Sequence, residues 1–270
     1  GEIVIVIGPP LAAASSDLDD DALDRLLAQL LADLPVAKAA REVARSHGVE
    51  IETDAPVREV IVENDRATGV ILDSGETVRA KYVVSNVNPK LLYTRLVPEG
   101  ALAGEFRTRI SRWQNGSGTF RMNVALSALP SFTALPGPGD HLTAGIIIAP
   151  SLGYMDRAWR DAREFGWGRA PVVELLIPST LDDSLSPPGQ HVASLFCQHV
   201  APQLPGGKSW DDHRDEAADL MIATVDRYAP GFAGSVIGRQ ILSPLDLERQ
   251  FGLLGGDIFH GALTLNQLFS

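Results

Sequence analysis

Leucines at positions 23, 26, 27, 30, 31 and 34 recur every three or four residues, a spacing that predicts an amphipathic helix closed by Pro35. Asp17, Asp19, Asp20 and Asp21 crowd its start, where the helix dipole favours negative charge, and the ligand spacing of a calcium loop is absent. Ahead of it, "GEIVIVIGPP" is apolar and β-branched and predicts a strand over Ile3 to Ile7. "VAKAAREVARSHGVEIETDAPV" reads as a helix with Val36, Ala40, Val43 and Ala44 inward, Gly48 as its left-handed stop, and a short strand from Val49 to Thr53 after it. "VREVIVENDRATGVILDSGETVRAKYVVSN" alternates with period two and breaks at Asn64-Asp65 and Asp73-Ser74-Gly75, which are turn residues. It predicts three antiparallel strands and then a buried strand, Tyr82 to Ser85.

From Asn86 the pattern changes. Pro89 and Pro98 bracket a short helix around Leu91 to Leu96, and four strand-like stretches follow: "SGTFRMNVALSAL", "HLTAGIIIA", "APVVELLIP" and "QHVASLFCQHV". Between the second and third, "YMDRAWRDAREFGWG" reads as a helix. "WDDHRDEAADLMIATVDRYAPGF" reads as another, with Ala217, Leu220, Met221, Thr224 and Val225 on one face and Pro230-Gly231 as its stop. Proline- and glycine-rich turns between the strands indicate a mostly antiparallel sheet, so this half is a second, α+β domain.

With 270 residues, 45% of them hydrophobic, the chain can bury one large core or two smaller ones. No apolar run approaches the ~20 residues of a membrane span, and no signal peptide is evident, so a cytoplasmic or other reducing compartment is expected. The first residue is glycine, which is consistent with a fragment or a trimmed product. A net charge of -11 repels phosphate backbones, and nucleic acid is excluded as a partner. A lone cysteine, Cys197, rules out an internal disulfide and any Cys-x-x-Cys pair.

Signatures of catalysis are sparse. A dinucleotide fingerprint needs G-x-G-x-x-G, but only Gly8 follows the first strand, and Pro9 and Pro10 have no N–H to offer a phosphate. "NGSGTF" has neither the spacing nor the following helix of a nucleophile elbow. His191, Cys197 and His199 share a predicted strand, but at ~3.3 Å per residue the two histidines are about 26 Å apart, too far for one metal, so no metal site is expected. Asp182 and Asp183 read as a loop and helix-start pair. His260, in "GGDIFHGALTLNQLF", follows a double glycine in an aperiodic stretch; it is the one histidine left open as a catalytic candidate, beside the plain reading of a hydrogen-bonded, half-buried histidine.

"HGVEIETDAPVREVIVENDRATGVILDSGETVRAKYVVSNVNPK" resembles the middle of the FAD domain in the phytoene desaturase and flavin amine oxidase superfamily. "VVELLIPSTLDDSLSPPGQHVASLFCQHVAPQLPGGKSWDD" and "YAPGFAGSVIGRQILSPLDLERQFGLLGGDIFHGALTLNQLF" resemble its phytoene dehydrogenase-related branch, and the resemblance runs from about Val36 to Ser270. It implies an α/β and α+β fold: a partial glutathione-reductase-type FAD domain with a β-meander, and a substrate domain on a mostly antiparallel sheet with helices. Residues 1–35 are unplaced by it, 36–90 belong to the FAD domain, 91–240 to the substrate domain, and 241–270 return toward the FAD domain. The strand entering the meander passes the FAD adenine, which puts Val57 there through its backbone; Ser85 and Asn86, ending the return strand, are the further cofactor-binding candidates.

The family's amino-terminal G-x-G-x-x-G unit does not match here, and its glycine-rich carboxy-terminal segment would begin after Ser270. The resemblance thus implies an FAD-dependent dehydrogenase or desaturase taking an apolar, polyene-like small molecule, with membrane-surface association compatible with such a substrate. The second reading is a non-catalytic ligand- or partner-binding module built from the same domains. Weak or absent FAD binding is expected of this chain alone.

Overall fold

The computed structural model describes residues 3–6, 42–116 and 118–268. They form two units: one from Gly1–Asn86 with Arg95–Ala103, the other from Val87–Thr94 with Gly104–Ser270. The predicted leucine helix with its acidic start, Val36 and Ala40 all lie outside the described residues.

In the first unit, β1 (Ile3–Val6) pairs in parallel with β5 (Tyr82–Ser85), Ile3 opposite Tyr82 and Val6 opposite Ser85. Beside this pair, β2 (Val57–Glu63), β3 (Arg66–Leu72) and β4 (Thr77–Arg79) form the predicted antiparallel meander, in the order β2-β3-β4. Its first hairpin turns at Asn64 and Asp65, both at positive φ, which short polar side chains tolerate. Val57, Val60, Val70 and Leu72 are its buried residues. Glu63 Oε2 accepts from Arg79 Nη1 (2.8 Å) and Thr68 Oγ1 (3.0 Å), tying the three strands together at the surface, and Arg79 holds the Glu63 carboxyl below its ordinary range.

Three expectations for this unit are corrected. Residues 42–46 are helical and Gly48 takes the left-handed stop at φ 79°, but Val43 is exposed rather than inward. No strand forms over Val49 to Thr53, where no strand among the described residues pairs with it and a bend with Asp54 at φ 56° leads into β2. β5 is not buried: Tyr82 and Val84 are half exposed, because among the described residues the sheet has two strands and nothing covers that face.

The second unit is built on a five-stranded antiparallel sheet of β6 (Phe120–Leu126), β7 (Ile146–Ile148), β8 (Trp167–Leu176), β9 (His191–Val200) and β10 (Val236–Leu242), in the order β10-β6-β9-β8-β7. β6 (Phe120–Leu126), β8 (Trp167–Leu176) and β9 (His191–Val200) match three of the predicted strands. Alternation puts Phe120, Met122, Val124 and Leu126 of β6 on one face with Ala193, Leu195 and Cys197 of β9, all fully buried. Each large side chain buried there contributes roughly 1.5–3 kcal/mol. The second of the four predicted strands, "HLTAGIIIA", yields only β7 (Ile146–Ile148). Its first half is a 3₁₀ turn, Asp140–Thr143, because the Leu142 carbonyl accepts from Thr180 Oγ1 (3.3 Å) instead of joining a ladder.

Helices cover this sheet. α1 (Gly104–Ser111) follows a short turn at Pro89–Leu91 that Asn88 caps. α2 (Leu152–Phe165) starts at Ser151, whose Oγ accepts from the Tyr154 N–H (3.1 Å), and stops at left-handed Gly166. It lies so close to β8 that a Cβ on Gly168 would be 3.2 Å from that of Ala158. α3 (Trp210–Tyr228) is the second predicted helix; Ala217, Met221, Thr224 and Val225 are buried as expected, and Leu220 packs at their margin. Two elements come in addition, β10 (Val236–Leu242) and α4 (Pro244–Phe251), whose first turn is a capping box between Ser243 and the buried Asp246.

Candidate functional site

The cofactor candidates fall in the first unit. Parallel strands end on a common edge, and ligands of open α/β sheets bind outside those carboxyl ends. β1 and β5 end together there, with Ser85 as the last residue of β5 and exposed Asn86 directly after it. Val57 opens β2, buried and opposite Leu72, with a bulge before Glu59. Among the described residues β2 is the outer strand of its sheet, so backbone groups along that edge have no ladder partner among them. β5 lies against β3, so these three residues belong to adjoining sheets of one unit.

His260 belongs to the other unit, in a polar knot built by turns after α4. Gly255 and Gly256 both take positive φ, and a Cβ on Gly256 would meet the Pro244 carbonyl carbon at 2.8 Å. They deliver Asp257, fully buried, whose Oδ2 accepts from the Gly116 N–H (3.0 Å) and whose Oδ1 accepts from the Phe259 N–H (2.9 Å). His260 then adopts φ 61°, and its carbonyl accepts from Trp113 Nε1 (2.9 Å) and Asn88 Nδ2 (3.4 Å). Lys90 Nζ donates to the Trp113 carbonyl (3.1 Å), and Gln267 Oε1 accepts from the Gln114 N–H (2.6 Å). The Trp113 ring covers Gly261, where a Cβ would come within 2.7 Å of it. Three buried polar atoms of the knot, Asn115 Oδ1, His260 Nδ1 and Thr264 Oγ1, have no hydrogen-bond partner among the described residues. His260 is thus fixed through its backbone, with its ring Nδ1 buried and unpartnered among the described residues. The sequence pattern gave no sign of Asn88, Trp113, Asp257 or Gln267.

Over 242 residues the chain is 41% identical to pyridine nucleotide-disulfide oxidoreductase domain-containing protein 2 of Rattus norvegicus, matching 87% of this chain and 42% of that protein. The chain belongs to the FAD-dependent oxidoreductase superfamily. A second relative in that superfamily is prolycopene isomerase, chloroplastic, of Daucus carota, 24% identical over 77% of this chain and 32% of its own length. Among solved structures, an oxidoreductase from Methanosarcina mazei shares the fold with a TM-score of 0.52 at 18% identity, over 77% of this chain and 41% of that one. A family model described as the RsmI C-terminal HTH domain matches residues 17–50, a minor part of the chain of which only 42–50 are described. The chain therefore spans less than half the length of the relatives it matches.

In the first unit, the groups that could hold an FAD are backbone groups at the adenine end. The free edge of β2 at Val57 suits a planar base held by backbone groups. The pyrophosphate is not matched: after β1 the sequence runs Ile7-Gly8-Pro9-Pro10, outside the described residues, and its prolines have no N–H to donate. Two other chemistry-bearing residues, Cys197 and Asp182, have structural roles. Burial pushes the Cys197 thiol far above its ordinary pKa, so it is a packing residue of β9. Asp182 caps the short turn Asp183–Leu185, and the Ser184 hydroxyl and N–H hold its carboxyl below the usual range. No group of three or more histidine, cysteine or acidic side chains among the described residues is placed to hold a metal, and no described helix is long and apolar enough to cross a membrane.

Burial lowers the pKa of His199 on β9. The unfolded chain, with histidine at about 6.5, then binds the proton first as pH falls. The stability that goes with neutral His199 is therefore complete above that value and is lost as pH drops below it toward the folded pKa. Urea midpoints measured from pH 7.5 down to 5 should fall less for His199→Gln than for the wild type, and equal slopes would exclude this assignment.

Proposed function

We propose that this chain is part of an FAD-dependent dehydrogenase or desaturase acting on an apolar, polyene-like molecule. The likeness to the relative named prolycopene isomerase carries the substrate class. In this reading residues 36–90 contribute to the FAD domain, 91–240 form the substrate domain, and 241–270 return toward the FAD domain. Bound FAD supplies hydride acceptance, and the protein supplies orientation and a dry surface. Val57 holds the adenine through backbone groups at the β2 edge, Ser85 and Asn86 contribute polar groups at the end of β5, and His260 is the catalytic candidate of the second unit.

A visible absorption spectrum of the purified chain, then a titration with FAD followed by tryptophan fluorescence, tests this. Weak, saturable quenching that AMP reverses and riboflavin does not is the expected result, since the fit lies at the adenine end. A response that does not saturate would remove FAD from this chain and leave the module that only binds a ligand or partner.

A further inference from the structure

The five-stranded sheet of the second unit has two faces of different character. α3 packs on one, where Phe120, Met122, Leu195 and Cys197 are fully buried. Along β6 and β9 the alternate residues, on the other face, stay partly accessible, and toward the sheet edge Leu176 and Ile147 of that face are exposed.

An arginine stands on this open face without a countercharge. Arg121, half-buried, donates from Nη2 to Ser194 Oγ (3.1 Å) and lies over the Phe196 ring, 5.3 Å from its centre, and no carboxylate among the described residues pairs with it. A guanidinium carries more N–H donors than one hydroxyl accepts, and its planar fork matches the two oxygens of a carboxylate. The ring beneath it and the Ser194 contact hold the fork in place before a ligand arrives, which lowers the ordering cost of binding.

Strand register supplies the rest of the site. Arg121 is opposite Phe196, Phe196 opposite Glu174, and Glu174 opposite Ile147, a row that crosses from β6 to the edge strand β7 over roughly 14 Å at ~4.8 Å per strand. In the next row Asn123 is opposite Ser194 and Ser194 opposite Leu176. Gln198 Nε2 donates to Glu174 Oε1 (2.5 Å), which draws that carboxylate to the side away from Ser194 and Leu176. A path thus leads from Arg121 across Phe196 to Leu176 and Ile147, cationic at its start and apolar at its end, and Glu174 repels an anion from the apolar end.

We propose that this face binds an elongated apolar molecule ending in a carboxylate, with the acid group on Arg121 and the body across Phe196 and Leu176. The inference rests on residues 91–240 being the substrate domain, and it narrows the substrate class to apolar acids. It needs no FAD, so its failure and that of the flavin reading appear in separate titrations.

cis-Parinaric acid, a conjugated polyene acid whose fluorescence rises on leaving water, is the probe, and its methyl ester is the control. Titration of the full chain without FAD should give saturable one-to-one binding of the acid, about tenfold tighter than the ester, the worth of one hydrogen bond to a charged group. Arg121→Gln should bring the acid to the ester's affinity and leave the ester unchanged. Asn123→Asp keeps the side chain's shape and sets a negative charge two residues from Arg121 on the same face; it should weaken the acid by a similar factor and spare the ester, and it tests the site even if Arg121→Gln fails to fold. Absence of saturable binding of the acid, equal affinity for acid and ester, or wild-type affinity for the acid in a folded variant of either kind would overturn the site.

Discussion

Replacing Gly118 with alanine is expected to remove about 4 kcal/mol or more of folding stability, a loss on the scale reserved for backbone collisions and failed cores. A Cβ at this position would overlap the Val200 carbonyl oxygen, sit 2.7 Å from the carbon bearing it, and press on Pro202 Cδ at 3.3 Å. The first two are backbone atoms, so no side-chain rotation relieves them. Gly118 leads into β6 while Val200 ends β9, and the Val200 N–H donates to the Gly118 carbonyl at 3.4 Å. Moving them apart opens the ladder that places Phe120 opposite Cys197 at the centre of the core. Gly234→Ala is the control. It lies in the short helix Phe232–Ser235 with open space where its Cβ would be, so its urea midpoint should stay within about 0.5 kcal/mol of the wild type. A loss at Gly118 no larger than the change at Gly234 would show that the β6–β9 approach does not set the cost.

What the sequence shows plainly is what depends on local periodicity. β6 alternates without a break and α3 keeps its apolar face for nineteen residues, and both were readable from residue spacing alone. β10 was not, because a bulge between Val236 and Gly238 shifts its parity midway and leaves no clean alternation. α4 carries legible signs: Ser243 and Asp246 form a capping box with Pro244 in the first turn, and Gly252 is its left-handed stop. The buried strand expected at Tyr82 to Ser85 failed differently, since burial is decided by what covers a sheet face and composition does not report that. A backbone contact such as that proposed for Val57 has no side-chain signature, so only a family resemblance pointed to it. The knot around His260 was invisible for a further reason: its partners lie far off in sequence, Asn88 at a separation of 172 residues and Trp113 at 147.

That knot yields the second large effect. Asp257→Ala is expected to cost about 2–4 kcal/mol, because its buried carboxylate joins the loop at Gly116 to the turn at Phe259. Truncation leaves two backbone N–H groups without their acceptor, and each such orphan costs roughly 1–3 kcal/mol if water does not enter. Asp257→Asn separates charge from shape. Its amide retains one acceptor oxygen for one of the two donors, so it should recover about half of the loss. Hydrogen exchange gives the local reading: the Gly116 and Phe259 amides should lose protection in Asp257→Ala, while amides of the meander, in the other unit, keep theirs. Uniform loss across both units would mean that the carboxylate supports the whole fold. A confined loss would mean that it holds the turn setting His260 at φ 61°, and with it the position of the His260 ring.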